Sequence, residues 1–572
     1  MNVRIKNRNI SISVDGGTIA EACAKAGHPL ELVCNGQGTC GKCRVEITCC
    51  GETRSVPACK TPVTEGMEIT VPETLFQRSD AVLTEGRPAH EFSLRPTVTK
   101  LCRSRQALTP ADGSPAVERK LSRLLADEAV SAVTYVYSGQ RLLDVQPGDT
   151  RSALYGVAVD IGTTTVVLYA YDLNTGELLD TVAALNSQIA HGGDVISRIQ
   201  YAVEKPDGTD ELHRLILRCI NELLARVEEH HPGFVNDLWH MVLCGNSAMQ
   251  HFFLGLDPSG LAAAPFTNAT EHAVTGTGEE YGLVMAKAGR VDFLPLLGGF
   301  VGADTAAVLL TLPENGQRRL MVDLGTNGEI AVGLNGAFQV ASTACGPALE
   351  GGCIECGMRA APGAIRHVTV DANGVQLQTI GGSEPVGLCG SGIIDAVAEL
   401  LRWAVIDPSG RMLSRAEYAG SHADSPLSDR LEYAAEHDPC FVLSRGEHTV
   451  CLTQKDVRQI QLAKSAVCSG CIALLADNGL TPQDVDALYL SGAFGSYMDI
   501  DNALAIGLLP PVPRERIVSV GNGAGQGVQM CLLDREQLSR SAALPSLTVH
   551  RELASDRQFA EEYMANMSFF EE

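Results

Sequence analysis

Basic residues are scarce in this sequence: Lys and Arg number 44 against 68 Asp and Glu, a formal net charge of -24. That sign repels phosphate backbones and anionic lipid heads, so neither nucleic acid nor a membrane surface is expected as a partner. Long apolar runs are missing as well. No uninterrupted stretch of about 18 uncharged apolar residues is present to span a bilayer. The opening residues, Met1-Asn2-Val3-Arg4-Ile5-Lys6, hold no apolar segment before a small-residue cleavage site, so no secretory signal is expected and the reading is cytoplasmic. No Cys-His or Ser-His-Asp triad is legible, and the 14 histidines show no metal-ligand spacing.

Cysteine, by contrast, is plentiful. Of 19 in the chain, seven fall within the first 59 residues, and in a reducing compartment thiols serve metals, chemistry or packing rather than disulfides. Cys34, Cys40, Cys43 and Cys59 form the spacing C-x5-C-x2-C-x15-C, close to the plant-type arrangement that holds a 2Fe-2S cluster. Three thiolates must converge from one loop, and Gly36, Gly38 and Gly41 supply the backbone freedom to wrap it. A zinc knuckle would pair C-x2-C with a second such pair or with histidines, and only one pair is here. Cys49 and Cys50 fall outside the spacing and are expected to be bystanders. Over roughly residues 1–78 the sequence resembles plant and adrenodoxin-like ferredoxins, which implies a β-grasp fold with the cluster near the surface.

At 572 residues the chain is too long for one core. Val3-Arg4-Ile5 and Ile10 to Val14 alternate as strands, Thr18 to Ala26 suits a capped helix, and Arg44 to Ile47 a further strand. Residues 79–95 carry mixed charge without periodicity, as a linker does. A small middle domain over 96–152 is expected to hold a helix at Val117 to Leu125 and a strand at Ala132 to Val136. From residue 153 onward, apolar strands alternate with Gly-rich turns and helical stretches, the pattern of an α/β domain that runs to residue 572.

Within that span the segment Gly156 to Leu168 is echoed by Arg319 to Ala331, each a strand, an Asp-x-Gly-Thr turn and a strand. Such a turn suits phosphate: glycine admits close approach, Thr hydroxyls and turn N–H groups donate, and the Asp can hold hydrated Mg2+. With the strand-turn Leu488 to Gly495, the pair resembles the two phosphate motifs and the adenosine motif of the actin, sugar-kinase and heat-shock ATPase (ASKHA) fold. That match implies Asp160 and Asp323 as catalytic, positioning Mg2+ and the attacking water. Gly162, Thr163, Thr164, Gly325, Thr326 and Asn327 would cradle the phosphates of ATP. Gly492, Ala493, Phe494 and Gly495 would lie at the adenosine, with Gly521 and Gly523 beside them. Ser391 and Gln454 are secondary candidates, as readily a turn residue or a cap.

The strings Thr453 to Arg458, Gly387 to Asp395, Gly346 to Gly351, Gly357 to Ala360 and Val520 to Gly525 resemble those of reductive activators of corrinoid proteins. The resemblance spans the chain and implies an α+β ferredoxin domain, a small middle domain and a two-lobed actin-like ATPase domain. It also implies the activity: one electron passes from a low-potential donor through the 2Fe-2S cluster to a partner corrinoid protein, returning Co(II) cobalamin to Co(I) at the expense of ATP. Such ATPases are often homodimers. Alternatives from the same residues are an ATP-driven donor like the 2-hydroxyacyl-CoA dehydratase activators, a sugar-kinase-like phosphotransferase, or an ATP-regulated redox-sensing scaffold. Two later C-x2-C pairs, Cys353/Cys356 and Cys468/Cys471, raise the idea of a second cluster, although the latter pair is expected on a helix starting near Thr453, where thiols three apart usually pack.

Overall fold

The computed structural model describes residues 1–14, 16–28, 30, 43–49, 52–72, 93–105, 113–313, 316–325, 327–334, 336–422, 425–434, 437–492 and 497–569. The chain forms two compact units, residues 1–85 with 314–522 and 548–572, and residues 86–313 with 523–547.

In the first unit, the N-terminal segment builds a five-stranded sheet in the order Ile10–Ser13, Asn2–Ile5, Glu68–Thr70, Arg44–Cys49, Glu52–Pro57. Asn2–Ile5 runs parallel to Glu68–Thr70 while the outer pairs are antiparallel hairpins, a β-grasp arrangement. Alternation puts Val3, Ile5, Val45, Ile47 and Ile69 on the buried face. Against them lies the helix Ile19–Lys25, begun by a reciprocal capping box between Thr18 and Glu21. This small core is separate from the large one of residues 320–569.

The large core belongs to a six-stranded sheet in the order Ile517–Gly521, Ala487–Ser491, Arg319–Leu324, Gly328–Leu334, Ala337–Thr343, Thr548–His550. The 24-residue helix Gln454–Asp477 packs across it. By length and mean hydropathy (1.3) it is apolar enough to cross a membrane, yet 78% of its most apolar window is buried inside the protein. Gly470 permits the close approach, since a Cβ there would lie 2.5 Å from Ile330 Cδ1.

In the second unit, three strands, Val98–Ser104, Ala132–Ser138 and Arg141–Pro147, form an antiparallel meander under the helix Pro115–Ala126. A six-stranded sheet follows, in the order Leu178–Leu185, Thr165–Asp172, Tyr155–Ile161, Leu238–Gly245, Arg290–Phe293, Val274–Thr277. Its first five strands repeat the topology of the first unit's sheet: two antiparallel hairpin pairs, then two strands added in parallel. The sequence echo between residues 156–168 and 319–331 is thus an echo of whole sheets. Helix Gly523–Leu533 lies close on helix Ala303–Thr311 because Gly527 has no side chain; a Cβ there would meet Ala307 O at 2.0 Å.

Candidate functional site

The cluster candidates sit at one end of the N-terminal sheet. Register pairs Arg44 with Pro57, so Cys43, just before one strand, and Cys59, just after the other, emerge at the same end of the hairpin. Ala58 N donates to Cys43 O at 2.8 Å, which ties the two segments together. Both cysteines are buried, at 2% and 7% exposure. Two thiols delivered to one spot by a rigid hairpin fit half of a four-thiolate cluster site. Cys34 and Cys40 lie outside the described residues. Cys49 is at the far end of its strand, 3.9 Å from Thr64 Oγ1, and Cys23 packs in the helix, where burial pushes its thiol up to about 12.

In the second unit, the first Asp-x-Gly-Thr turn is held from three sides. Gly162 N donates to Thr165 O at 3.0 Å, closing a four-residue turn, and a Cβ on Gly162 would lie 2.6 Å from that oxygen. Asn186 Nδ2 donates to Gly162 O (2.9 Å), and Arg198 Nη2 to Thr163 O (2.5 Å). Arg198 is fully buried and desolvation pulls its guanidinium down to about 9, so the cation acts as a fixed brace rather than as a phosphate ligand. Asn246 Nδ2 donates to Thr163 Oγ1 at 2.9 Å. Asp160, Gly162, Thr163 and Thr164 stay half-buried, reachable by a ligand.

Cys244 and Asp304 escaped the sequence reading. The Cys244 thiol donates to Asp160 Oδ1 at 3.8 Å. Burial, then Asp160 and Asp304, push that thiol well above its usual range. Asp304 opens helix Ala303–Thr311, its Oδ1 accepting from Thr305 N at 2.8 Å, and loss of bulk water raises its carboxyl to about 6. Carboxylates near a phosphate turn can hold a hydrated divalent cation or orient a water. The only local signal for Asp304 was Gly302-Ala303-Asp304-Thr305 ahead of an apolar helix.

A raised carboxyl costs stability when ionised. With a folded value near 6 against an ordinary 3.8, the cost is full above pH 6, shrinks as pH falls toward 3.8, and vanishes below it. Asp304→Asn is therefore expected to raise the thermal midpoint at pH 8 and leave it unchanged near pH 4, while lowering ATP hydrolysis. Melting curves at both pH values with a phosphate-release assay check this; a midpoint that falls at pH 8 would contradict it.

In the first unit, the second turn is one residue shorter: Leu324 pairs with Gly328 and Gly325 N donates to Asn327 O at 3.0 Å. Asp323, Gly325 and Asn327 are half-buried. Asp323 pairs in register with Ser491, and the next residue, Gly492, turns with φ +97°. A Cβ on Gly492 would meet Leu324 O at 2.6 Å and Asp323 Oδ1 at 2.8 Å, so glycine is required there. Gly492 N donates to Gly521 O at 3.0 Å, and Gly521 turns at φ +70°. Asp323, Gly492 and Gly521 are thus gathered at one sheet end. Gly523 is the buried first residue of its helix. Thr326, Ala493, Phe494 and Gly495 lie outside the described residues.

Ser391 and Gln454 are committed to backbone: Ser391 Oγ donates to Arg366 O (2.8 Å), and the Gln454 amide bridges Gly410 O and Met412 N, both at 2.7 Å. Cys468 and Cys471 are fully buried in their helix, where desolvation raises both thiols. Among the described residues no group of three His, Cys, Asp or Glu is arranged to hold a metal ion.

Family models cover most of the chain. Residues 2–74 match the 2Fe-2S iron-sulfur cluster binding domain, residues 155–313 the RACo middle region, and residues 317–572 the C-terminal domain of RACo, the ASKHA domain. The chain is 40% identical to the corrinoid activation enzyme RamQ of Eubacterium limosum, with 96% of each covered. It is 24% identical to a [Co(II) methylated amine-specific corrinoid protein] reductase of Methanosarcina barkeri, over 73% of this chain and 77% of that one. A solved reductive activator for corrinoid, iron-sulfur protein superposes with a TM-score of 0.73 at 29% identity, covering 99% of this chain and 98% of that one. The chain belongs to the family of reductive activators of corrinoid proteins, with that family's 2Fe-2S and ASKHA ATPase domains.

Proposed function

We propose that this protein uses ATP to drive one electron from its 2Fe-2S cluster onto the Co(II) cobalamin of a partner corrinoid protein, restoring the Co(I) state of a methyl-transfer system. The carrying observation is the presence on one chain of the Cys43/Cys59 hairpin end and of two half-buried Asp-Gly turns on topologically repeated sheets. Plant-type clusters lie near about -400 mV, and each ~59 mV uphill costs a factor of ten for one electron. Nucleotide turnover supplies several such factors.

Cys34, Cys40, Cys43 and Cys59 would hold the cluster, which supplies one-electron storage. Asp160 and Asp323 would position Mg2+ and water. Gly162, Thr163, Thr164, Gly325, Thr326 and Asn327 would receive the phosphates. Gly492, Ala493, Phe494, Gly495, Gly521 and Gly523 would form the adenosine side, and Asp304 joins Asp160. We divide the chain into a ferredoxin domain (1–78), a linker (79–95), a small middle domain (96–152) and the ATPase domain (153–572). The electron comes from a low-potential cellular donor, the working form is a homodimer, and the site of action is the cytoplasm.

An activator that held its product as tightly as its substrate would obstruct turnover. Affinity for the corrinoid protein is therefore expected to be highest for the Co(II) form and at least tenfold weaker for the Co(I) and methylated forms. Anaerobic titration of the three forms measures this, and equal affinity would contradict the reading.

A further inference from the structure

The pair Cys353/Cys356 has a partner that its spacing does not reveal. Cys356 lies in a loop fixed on both sides: Leu388 N donates to Cys356 O at 2.8 Å, and Glu355 N donates to Asp456 Oδ1 at 2.7 Å. That loop rests on the hairpin Pro439–Arg445/Thr449–Thr453, where Val442 stands opposite Cys451. Cys356 Sγ is 3.9 Å from Cys451 Sγ, accepts from Cys451 N at 3.4 Å and donates to Thr449 O at 3.8 Å. Cys440 lies on the same hairpin face, two residues from Val442. Cys440, Val442 and Cys451, with Cys356 and Ala434 against them, form a small cluster separate from the main core.

Three thiols have gathered here, with the Cys356 and Cys451 sulfurs in contact at 3.9 Å. The thiols are graded in exposure. Cys353 is exposed, Cys356 half-buried, and Cys440 and Cys451 buried. Contact with Cys356 and Cys440, together with burial, raises the Cys451 thiol, while the contact with Cys451 lowers Cys440.

We propose that Cys356 and Cys451 form a reversible disulfide when the protein meets a peroxide, a modification site apart from the iron–sulfur loop. The reachable Cys356 sulfur attacks one peroxide oxygen, the O–O bond breaks, the thiol proton passes to the departing oxygen, and a sulfenic acid and water form. The Cys451 sulfur then attacks Cys356 Sγ, the S–O bond breaks, and the Cys451 proton passes to the departing oxygen, which leaves as water. In sum two thiols and one hydrogen peroxide give one disulfide and two waters, with two electrons passing from sulfur to oxygen. The sulfurs close from 3.9 Å to the bonded distance of about 2.05 Å. The bond would lock the loop to the strand that runs straight into the cap of helix Gln454–Asp477 at Thr453.

The test uses the full chain, purified anaerobically with its cluster, exposed to graded hydrogen peroxide, alkylated and mapped by peptide mass spectrometry. The expected result is a linked Cys356–Cys451 peptide, two hydrogens lighter than the reduced pair, that forms before Cys468 or Cys471 is modified and disappears on reduction with dithiothreitol. With Cys451→Ser, Cys356 should instead be trapped as a sulfenic acid by dimedone. A Cys353–Cys356 or Cys440–Cys451 link in the unsubstituted protein, or oxidation that stops at Cys353, would overturn the proposal without recourse to any variant.

Discussion

Asp323→Ala is expected to lower ATP hydrolysis by roughly 100- to 1000-fold, about 3–4 kcal/mol of transition-state stabilisation, while the cluster stays loaded. The carboxylate stands at the end of strand Arg319–Leu324, half-buried, with Ser491 on the parallel neighbour and Glu329 on the antiparallel one. Gly492 approaches so closely that any side chain there would strike Asp323 Oδ1. A carboxylate held at an open sheet end beside a phosphate-type turn is placed to orient a hydrated cation, and Ala removes both charge and ligand. The cluster should survive because the N-terminal sheet has its own core, residues 3–71, with no member from residues 320–569. Phosphate release and the visible spectrum of the same preparation are the two readouts. Asp323→Asn, which keeps the shape, separates loss of charge from loss of fold. Retained hydrolysis would move the metal-positioning role to Asp160 and Asp304.

Cys43→Ser is expected to abolish the 2Fe-2S absorption and electron paramagnetic resonance signal, and with them all cobalt reduction, while ATP hydrolysis continues. Cys43 is 2% exposed and anchored by Ala58 N at the hairpin end, so among the described residues no other thiol can take its place without unpicking that register. Cys49 is six residues further along, at the opposite end of its strand, and Cys23 is sealed in the helix with its thiol near 12. A serine hydroxyl is far less acidic than a thiol and binds iron poorly. Full cluster occupancy in this variant would show that the ligand set is wrong, and Cys40→Ala should give the same loss if the spacing is read correctly.

What the sequence disclosed follows from how local each signal is. The cysteine spacing and the two Asp-x-Gly-Thr segments are written in consecutive residues, and the glycines at Gly162 and Gly492 prove to be required by contacts of 2.6–2.8 Å. The helix cap at Thr18 was legible because its partner Glu21 is three residues away. Asn246 and Arg198 were not, because each reaches the first turn only through tertiary packing, just as Cys244 and Asp160, 84 residues apart, meet through parallel pairing of two strands. The Cys356–Cys451 contact spans 95 residues and was hidden for the same reason. The C-x2-C spacing drew attention to Cys356 through its pairing with Cys353, and to Cys468/Cys471, but not to Cys451. Ser391 and Gln454 show the reverse, motif residues whose side chains turn out to hold backbone together.

The central claim is tested most directly by mixing the anaerobic protein with a low-potential reductant and a Co(II) corrinoid protein and following the visible spectrum with and without Mg-ATP. The account predicts that Co(I) appears only when ATP is present. A reduced cluster and hydrolysed ATP with cobalt left as Co(II), across several corrinoid proteins, would contradict it and point to an acceptor of another kind.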